Sequence, residues 1–191
     1  MKKTTLLFAA ALCMAQASFG AVITYTVSLN GASEATPNAS AGTGSATAII
    51  DDSANTLTLN LIYSGLTGTA TASHIHCCTT TAGTGASGIA VPFAITTGAT
   101  SGTYSATLDL ALTSTYNSTF LSNNGGTASG AEAALLAGIA AGDAYWNVHS
   151  TSYSGGEIRG FLAPAPEPAT IFLTAGALFA LGIRKYRRNK A

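Results

Sequence analysis

The three histidines of this 191-residue chain are its most evident candidates for chemistry. Two of them occur as His74-Ile75-His76, and the third is His149, two residues after Asn147. Residues two apart in a β-strand share a face, so His74 and His76 point to one side while Ile75 points to the other. By the same parity, Asn147 and His149 point together. If both segments are strands turned the same way, three imidazoles meet on one surface.

Two interpretations of this histidine group follow from its chemistry. His74, His76 and His149 can supply three nitrogen ligands, a set that suits Cu or Zn. The alternative is a structural polar cluster in which Asn147, Glu157 and Arg159 hydrogen-bond the last hairpin to the histidine strand. Because Glu157 and Arg159 share a strand face, we also expect a local ion pair between them, worth about 0–1 kcal/mol if exposed. The sequence leaves both interpretations open.

Two cysteines directly follow the histidine pair. If the strand continues beyond His76, Cys78 shares the histidine face and is a candidate fourth, soft ligand. In an oxidising compartment a disulfide with Cys77 is a competing expectation, and capture of a partner is a third. The residue types alone do not choose among these three.

The elements that must position these residues are predicted to be β-strands. Between residues 22 and 162, apolar residues alternate with Thr, Ser and Asn, which is the period of strands with one buried face. The clearest hairpin pairs 46–50 with 57–63 across a polar turn at 51–55. Further strands are predicted at 25–29, 70–76, 89–95, 104–110, 145–149 and 157–162, with one short helix at 131–141. This pattern predicts an all-β, antiparallel Greek-key β-sandwich of the immunoglobulin-like or superoxide-dismutase-like type.

Both ends of the chain have the composition of targeting segments. Lys2 and Lys3 precede an apolar run over residues 6–17, followed by small residues, which predicts a removable signal peptide. Residues 169–183 carry no charge and Arg184 opens a basic tail, which predicts a transmembrane helix with its C-terminus in the cytoplasm. The expected order is a signal peptide over 1–20, a domain over 21–163 and a sorting tail over 164–191.

The net charge differs between the whole chain and the domain. The chain carries eight basic and eight acidic residues and is formally neutral. Between residues 21 and 165 only Arg159 is basic while seven residues are acidic, so this segment has a formal charge of −6. Such a surface repels phosphate backbones, so we expect no nucleic-acid partner.

An ordered set of motifs along the domain resembles the CHRD domain, a family named for repeats in chordin and common in exported bacterial proteins. The motifs are Leu29-Asn30-Gly31 with Glu34, His74-Ile75-His76, Tyr145-Trp146-Asn147-Val148-His149, and Gly156-Glu157-Ile158-Arg159-Gly160. The resemblance spans residues 22–162, and this chain departs from the usual pattern at Ala35-Thr36-Pro37, Cys77-Cys78 and Ser150. The histidine strand also loosely resembles that of Cu/Zn superoxide dismutase, although neither histidine motif contains the aspartate of that enzyme's dinuclear site.

The C-terminus resembles the PEP-CTERM sorting signal through Pro166-Glu167-Pro168, the apolar segment after it and the Arg-rich end. Proteins with this signal are exported in Gram-negative bacteria that make extracellular polysaccharide, and the resemblance implies processing near the motif by the membrane protease exosortase. The resemblance implies exosortase and the secretion machinery as partners, with extracellular polysaccharide as a further candidate. It also implies a location that is first the inner membrane, through the C-terminal helix, and then the cell surface or the medium.

These observations favour a non-catalytic surface or binding module of the cell envelope or extracellular matrix. The alternative is an envelope metal-binding protein that uses Cu or Zn, and a superoxide-dismutase-like metalloenzyme is a third hypothesis. Serine catalysis is not expected, because the chain has no Gly-x-Ser-x-Gly elbow and no acid at orienting spacing from a histidine motif. We therefore predict a protein that is not an enzyme.

Overall fold

The computed structural model describes residues 22–166. They form strands, short helices and the loops between them. The strands are β1 (Val22–Asn30), β2 (Thr43–Asp51), β3 (Thr56–Ser64), β4 (Ala70–His76), β5 (Ile89–Phe93), β6 (Gly102–Asp109), β7 (Tyr145–Ser150), β8 (Ile158–Phe161) and β9 (Ala163–Pro164). The helices are α1 (Ser118–Asn123) and α2 (Ala128–Ala141), with 3-10 turns at Gly31–Ser33 and Thr113–Thr115. The predicted all-β domain is confirmed.

The strands form one antiparallel sheet in the order β5-β4-β7-β8-β1-β2-β3-β6, with β9 beside β1. The predicted β-sandwich is confirmed only in part, because its two halves are not separate sheets. Asn30 of β1 pairs with Arg159 of β8 and joins them. The sheet curls into a half-barrel. Its two edge strands approach each other, since the ring of Phe93 on β5 stacks 4.9 Å from that of Tyr104 on β6. A sandwich-like core lies inside the curl.

The β2–β3 hairpin forms where the alternation predicts it. A carboxylate oxygen of Asp51 accepts hydrogen bonds from the amides of Ser53 and Ala54, and Asn55 takes the left-handed conformation (φ 50°) that closes the turn. Alternate residues of β3 then point inward, from Leu57 to Tyr63, whereas Ile62 is exposed on the outer face. The fully buried leucines of this strand are Leu57, Leu59 and Leu61. This hairpin supplies one wall of the core.

Helix α2 closes one end of the core and starts earlier than the predicted helix. The Thr127 hydroxyl accepts a hydrogen bond from the Gly130 amide, which starts the helix at Ala128. Gly142 ends it in the left-handed conformation (φ 77°). The buried side chains of α2 are Ala131, Leu135 and Ile139. The sequence did not predict helix α1. It is about one and a half turns long and starts after Asn117, whose side chain caps it by accepting hydrogen bonds from the amides of Thr119 and Phe120.

The predicted targeting segments lie outside the described residues. This applies to the signal peptide, to the apolar segment 169–183 and to Glu167 and Pro168 of the sorting motif. Pro166 is the last described residue and is exposed. Within residues 22–166, every helix is too short or too polar to cross a bilayer.

Candidate metal centre

Strand parity brings the three histidines to one face of the sheet. On β4, Ile75 is fully buried in the core, so His74 and His76 project from the opposite face. On β7, Val148 is likewise fully buried, which turns His149 to the same side as the other two histidines. The alternation of the two strands therefore determines where the imidazoles lie.

The three imidazole rings lie against one another where β4 and β7 pair. His74 is opposite Asn147 and His149 is opposite Ala72, so His149 is the diagonal neighbour of His74 across the pair. The ring centroids are 5.1 Å apart for His74 and His149, 5.7 Å for His74 and His76, and 6.2 Å for His76 and His149. One nitrogen of each ring lies within 4.8 Å of the nitrogens of the other two.

Each of these rings has one buried nitrogen without a hydrogen-bond partner. The three atoms are His74 Nδ1, His76 Nε2 and His149 Nε2. Leaving one buried polar atom unpaired costs about 1–3 kcal/mol, and folded proteins pair most such atoms. Unpaired nitrogens on three neighbouring rings are therefore the property of a site that accommodates a ligand which accepts their lone pairs.

In two of the rings, a hydrogen bond made by the other nitrogen fixes which nitrogen carries the proton. The Nδ1–H of His76 donates to the carbonyl oxygen of Ser87 at 2.9 Å, and the Nδ1–H of His149 donates to that of Ser154 at 2.8 Å. Because a carbonyl oxygen only accepts, Nδ1 holds the hydrogen and Nε2 keeps its lone pair. His76 also stacks on the ring of Tyr145, with centroids 4.7 Å apart. Such outer hydrogen bonds orient the imidazoles that ligate metal ions.

The surroundings keep two of the imidazoles neutral. Burial, together with the neighbouring His149 and His76, lowers the pKa of His74 from its ordinary value of 6.5 to about 4. Burial also lowers the pKa of His76, although the hydrogen bond to Ser87 opposes the change. Metal ions bind neutral imidazole, so protons do not compete for these two residues near neutral pH.

The residues fit a small transition-metal ion. Zn–N bonds of about 2.0–2.1 Å place the ligand nitrogens of one ion roughly 3.4 Å apart, so side-chain movements of about an ångström suffice for three-nitrogen coordination. Zn or Cu accepts imidazole ligands, and a site with three protein ligands leaves one position for a water molecule or an added ligand.

The two cysteines after the histidine strand lie on the helix side of the domain. Cys77 and Cys78 form a disulfide, one of the three alternatives that the sequence leaves open. A methyl group on Gly138 of α2 would collide with both sulfur atoms, so the disulfide packs against that helix. Among the described residues, the group of metal-ligating side chains consists of the three histidines, and Cys78 lies outside it.

Arg159 is buried beside the histidines with its guanidinium bound to backbone carbonyls. Its Nε donates to the carbonyl oxygen of Ser33 at 2.6 Å and its Nη1 to that of Gly85 at 2.8 Å. The guanidinium also lies 4.6 Å from the ring centre of Tyr145 and 5.2 Å from that of Phe161. Arg159 thereby holds the loops at 31–42 and 77–88 against the polar face.

Glu157 is fully buried and makes its hydrogen bonds away from Arg159. Its carboxylate accepts hydrogen bonds from the Ser40 hydroxyl and the amides of Thr67 and Gly68. Burial alone would raise its pKa, but these bonds and one from the Ser150 hydroxyl together lower the pKa below its usual value. The exposed ion pair expected between Glu157 and Arg159 is therefore wrong, because loop groups satisfy each charge separately.

Glu34 belongs to the same polar face, although the sequence analysis gave it no role in the site. It is buried, and its Oε1 has no hydrogen-bond partner. Burial raises its pKa to about 7, despite the opposing effects of Arg159 and of the Ala35 amide. The space for this carboxylate depends on Gly156 (φ 130°), where a Cβ would lie 2.6 Å from Glu34 Oε1. The residue types alone do not reveal this contact, because it joins two loops.

Comparisons with known proteins agree with the motifs. The CHRD domain family model matches residues 25–162. The matched segment contains all three histidines, Asn147, Glu157, Arg159 and Glu34. Comparison with curated proteins and with solved structures found no match.

Proposed function

Because the chain belongs to the CHRD domain family, we propose that its domain is a non-catalytic binding module of the cell envelope which holds one Cu or Zn ion. The ligands in this proposal are His74, His76 and His149. One observation carries it: each imidazole has a buried, unpartnered nitrogen, and one nitrogen of each ring lies within 4.8 Å of the others. A purely structural cluster would pair these atoms with one another or with donors.

The outer hydrogen bonds support the metal interpretation over the structural one. The carbonyl groups of Ser87 and Ser154 already use the Nδ1 hydrogens of His76 and His149. Each Nε2 therefore has only a lone pair to offer, and a group of facing lone pairs repels unless a cation or a donor lies between them. A bound ion supplies that positive charge and, because its ligands come from both strands, links β4 to β7.

The test is metal analysis of the protein that is expressed from its full-length sequence, exported by a Gram-negative host and purified without chelators. We expect about one equivalent of Zn or Cu. Chelator-treated protein should rebind Zn²⁺ in a calorimetric titration, and a triple His74→Ala, His76→Ala, His149→Ala variant should not. Asp52→Asn, which changes an exposed turn residue, is the matched control for adventitious binding by surface acids. Superoxide turnover that disappears in the triple variant would contradict the non-catalytic part of the proposal.

The envelope location rests on the two ends of the chain. We propose that residues 1–20 direct export and that the PEP-CTERM-like tail from Pro164 anchors the protein in the inner membrane until exosortase processes it near Pro166-Glu167-Pro168. Intact mass of the protein from its native host tests both cleavages. Species that lack the N-terminal signal and end near Pro166 support the proposal, whereas a mature protein that retains residues 169–191 contradicts the processing step.

A further inference from the structure

Two adjoining cavities lie along the polar face, and their lining includes no histidine. The first has a volume of about 400 Å³ and lies between the turn at 31–37, the loop at 83–85 and the end of β8. The second has a volume of about 450 Å³ and lies between the same turn and the loop at 153–156. Both cavities share Glu34, Ala35 and Pro37 as a common wall. Cavities of about 300–1,000 Å³ are the size that small ligands fill.

Each cavity contains one aromatic ring beside polar groups. Phe161 lines the first cavity, and Tyr153 lines the second. Tyr153 is half-buried. The same ring-and-polar pattern is thus repeated in two neighbouring spaces. A repeated pattern of this kind suits a ligand that is itself made of repeated units.

The two charged groups at the cavities, Arg159 and Glu34, differ in their hydrogen bonds. The hydrogen bonds of Arg159 go to the carbonyl groups of Ser33 and Gly85, and these contacts hold its guanidinium in place as part of the wall. Glu34 lines both cavities and retains an unpartnered carboxylate oxygen. A ligand with hydroxyl groups, which donate and accept hydrogen bonds, complements a carboxylate and a guanidinium together.

From these observations we infer that the two cavities are consecutive subsites for a neutral oligosaccharide. Hydroxyl groups of the sugar bind Glu34 and Arg159, and the apolar faces of two neighbouring units lie on Phe161 and Tyr153. The charge of the domain favours neutral over acidic sugars, because Arg159 is the single base among seven acids in residues 21–165. This site uses no metal ligand and is therefore independent of the proposed metal centre.

The experiment is a titration of the ¹⁵N-labelled full-length chain with cellotetraose, maltotetraose and tetragalacturonate, followed through backbone amide shifts. We expect saturable shifts of the Gly85, Gly156 and Gly160 amides with a neutral tetrasaccharide. The Thr103 amide on the outer face of the sheet should not move. The corresponding disaccharide should bind more weakly than the tetrasaccharide, because it has fewer units to place in the two subsites.

Two variants and one control make the assignment specific. Thr84→Trp, at an exposed loop position, fills the first cavity, and Tyr153→Ala removes the ring of the second. Thr84→Trp should weaken binding because its ring occupies the first cavity. Tyr153→Ala should weaken binding about tenfold, since one lost stacking contact is worth roughly that factor. Thr103→Ala should bind like the native protein. The inference is overturned if neither neutral tetrasaccharide gives saturable shifts, if only tetragalacturonate does, or if binding survives both cavity variants.

Discussion

The imidazole of His149 lies 5.1 Å from that of His74, centroid to centroid, although β5, β6 and both α-helices separate the two residues in the chain. Their strands, β4 and β7, are hydrogen-bonded neighbours near the middle of one half of the sheet. The backbone ladder therefore sets the distance between the two rings. A site built on paired strands is held more rigidly than one built on loops alone.

The stability of the metal-free protein should depend on the protonation of His74. Its pKa is about 4 in the folded protein and 6.5 ordinarily, so the unfolded chain binds more protons between these values. The free energy of unfolding should therefore fall as the pH drops from 6.5 towards 4. Glu34 acts in the opposite direction, because its folded pKa is raised to about 7 and protonation there favours the folded state as the pH falls through 7.

Urea unfolding of chelator-treated protein at pH 7, 5.5 and 4.5 separates these two effects. We expect His74→Gln to lose less stability than the native protein over this range, because it lacks the depressed histidine. Glu34→Gln should lose more, because it lacks the opposing carboxylate. Identical pH profiles for the native protein and His74→Gln would contradict the buried, neutral state of this imidazole.

Gly156→Ala should destabilise the domain by about 1–3 kcal/mol. The new Cβ would lie 2.6 Å from Glu34 Oε1 and 2.7 Å from Asn147 Nδ2, and the backbone there has a φ of 130°. Gly155→Ala is the matched control, since a Cβ at that neighbouring position meets nothing within 4 Å. Urea midpoints of both variants measure the difference. Equal losses in the two would contradict the close approach of Glu34 to this turn.

Arg159→Lys should cost about 2–4 kcal/mol despite the retained charge. A lysine ammonium cannot reach the carbonyl groups of Ser33 and Gly85 at the same time, and it lacks the planar surface that faces Tyr145. Thermal unfolding of the purified variant at pH 7 measures the loss. Asp52→Asn is the exposed control and should change stability by less than about 0.5 kcal/mol. A melting curve for Arg159→Lys that overlays the native one would show that these contacts do not hold the two loops.

Parity along two strands was sufficient to predict the histidine face. Ile75 and Val148 are short β-branched residues between polar neighbours, and a period of two permits one arrangement once they enter the core. The β2–β3 hairpin could be predicted for the same reason. Its alternation and its Asp-rich turn are local, so no contact from elsewhere in the chain was needed to read them.

The loops could not be predicted, because their contacts follow no period. Ser87 and Ser154 act through backbone carbonyls, which any residue type supplies, and Gly85 receives Arg159 in the same way. The wrong expectation of an exposed Glu157–Arg159 ion pair has this origin. Parity placed both residues on one face of the sheet, but it carries no information about the loops that cover that face. Joining of the sheet halves through Asn30 is likewise a long-range pairing.

Because Cys77 and Cys78 form a disulfide, we expect neither residue to react as a free thiol in the native protein. Iodoacetamide should not label residues 77 and 78 without a reductant, and it should label both after reduction under denaturing conditions. Peptide mass spectrometry locates the labels. Quantitative labelling without reductant would contradict the disulfide.

Because both sulfur atoms lie against Gly138, Gly138→Ala should also destabilise the domain, whereas Gly88→Ala, with nothing within 4 Å of its Cβ, should not.

The most direct test of the proposed metal centre is the metal content of the protein purified from its native host. Elemental mass spectrometry measures this content in the native protein and in the triple histidine variant. The account predicts about one equivalent of Zn or Cu in the native protein and less than a tenth of that in the variant, because three nitrogen ligands are lost together. A native protein without transition metal that also fails to bind Zn²⁺ or Cu²⁺ after purification would contradict it.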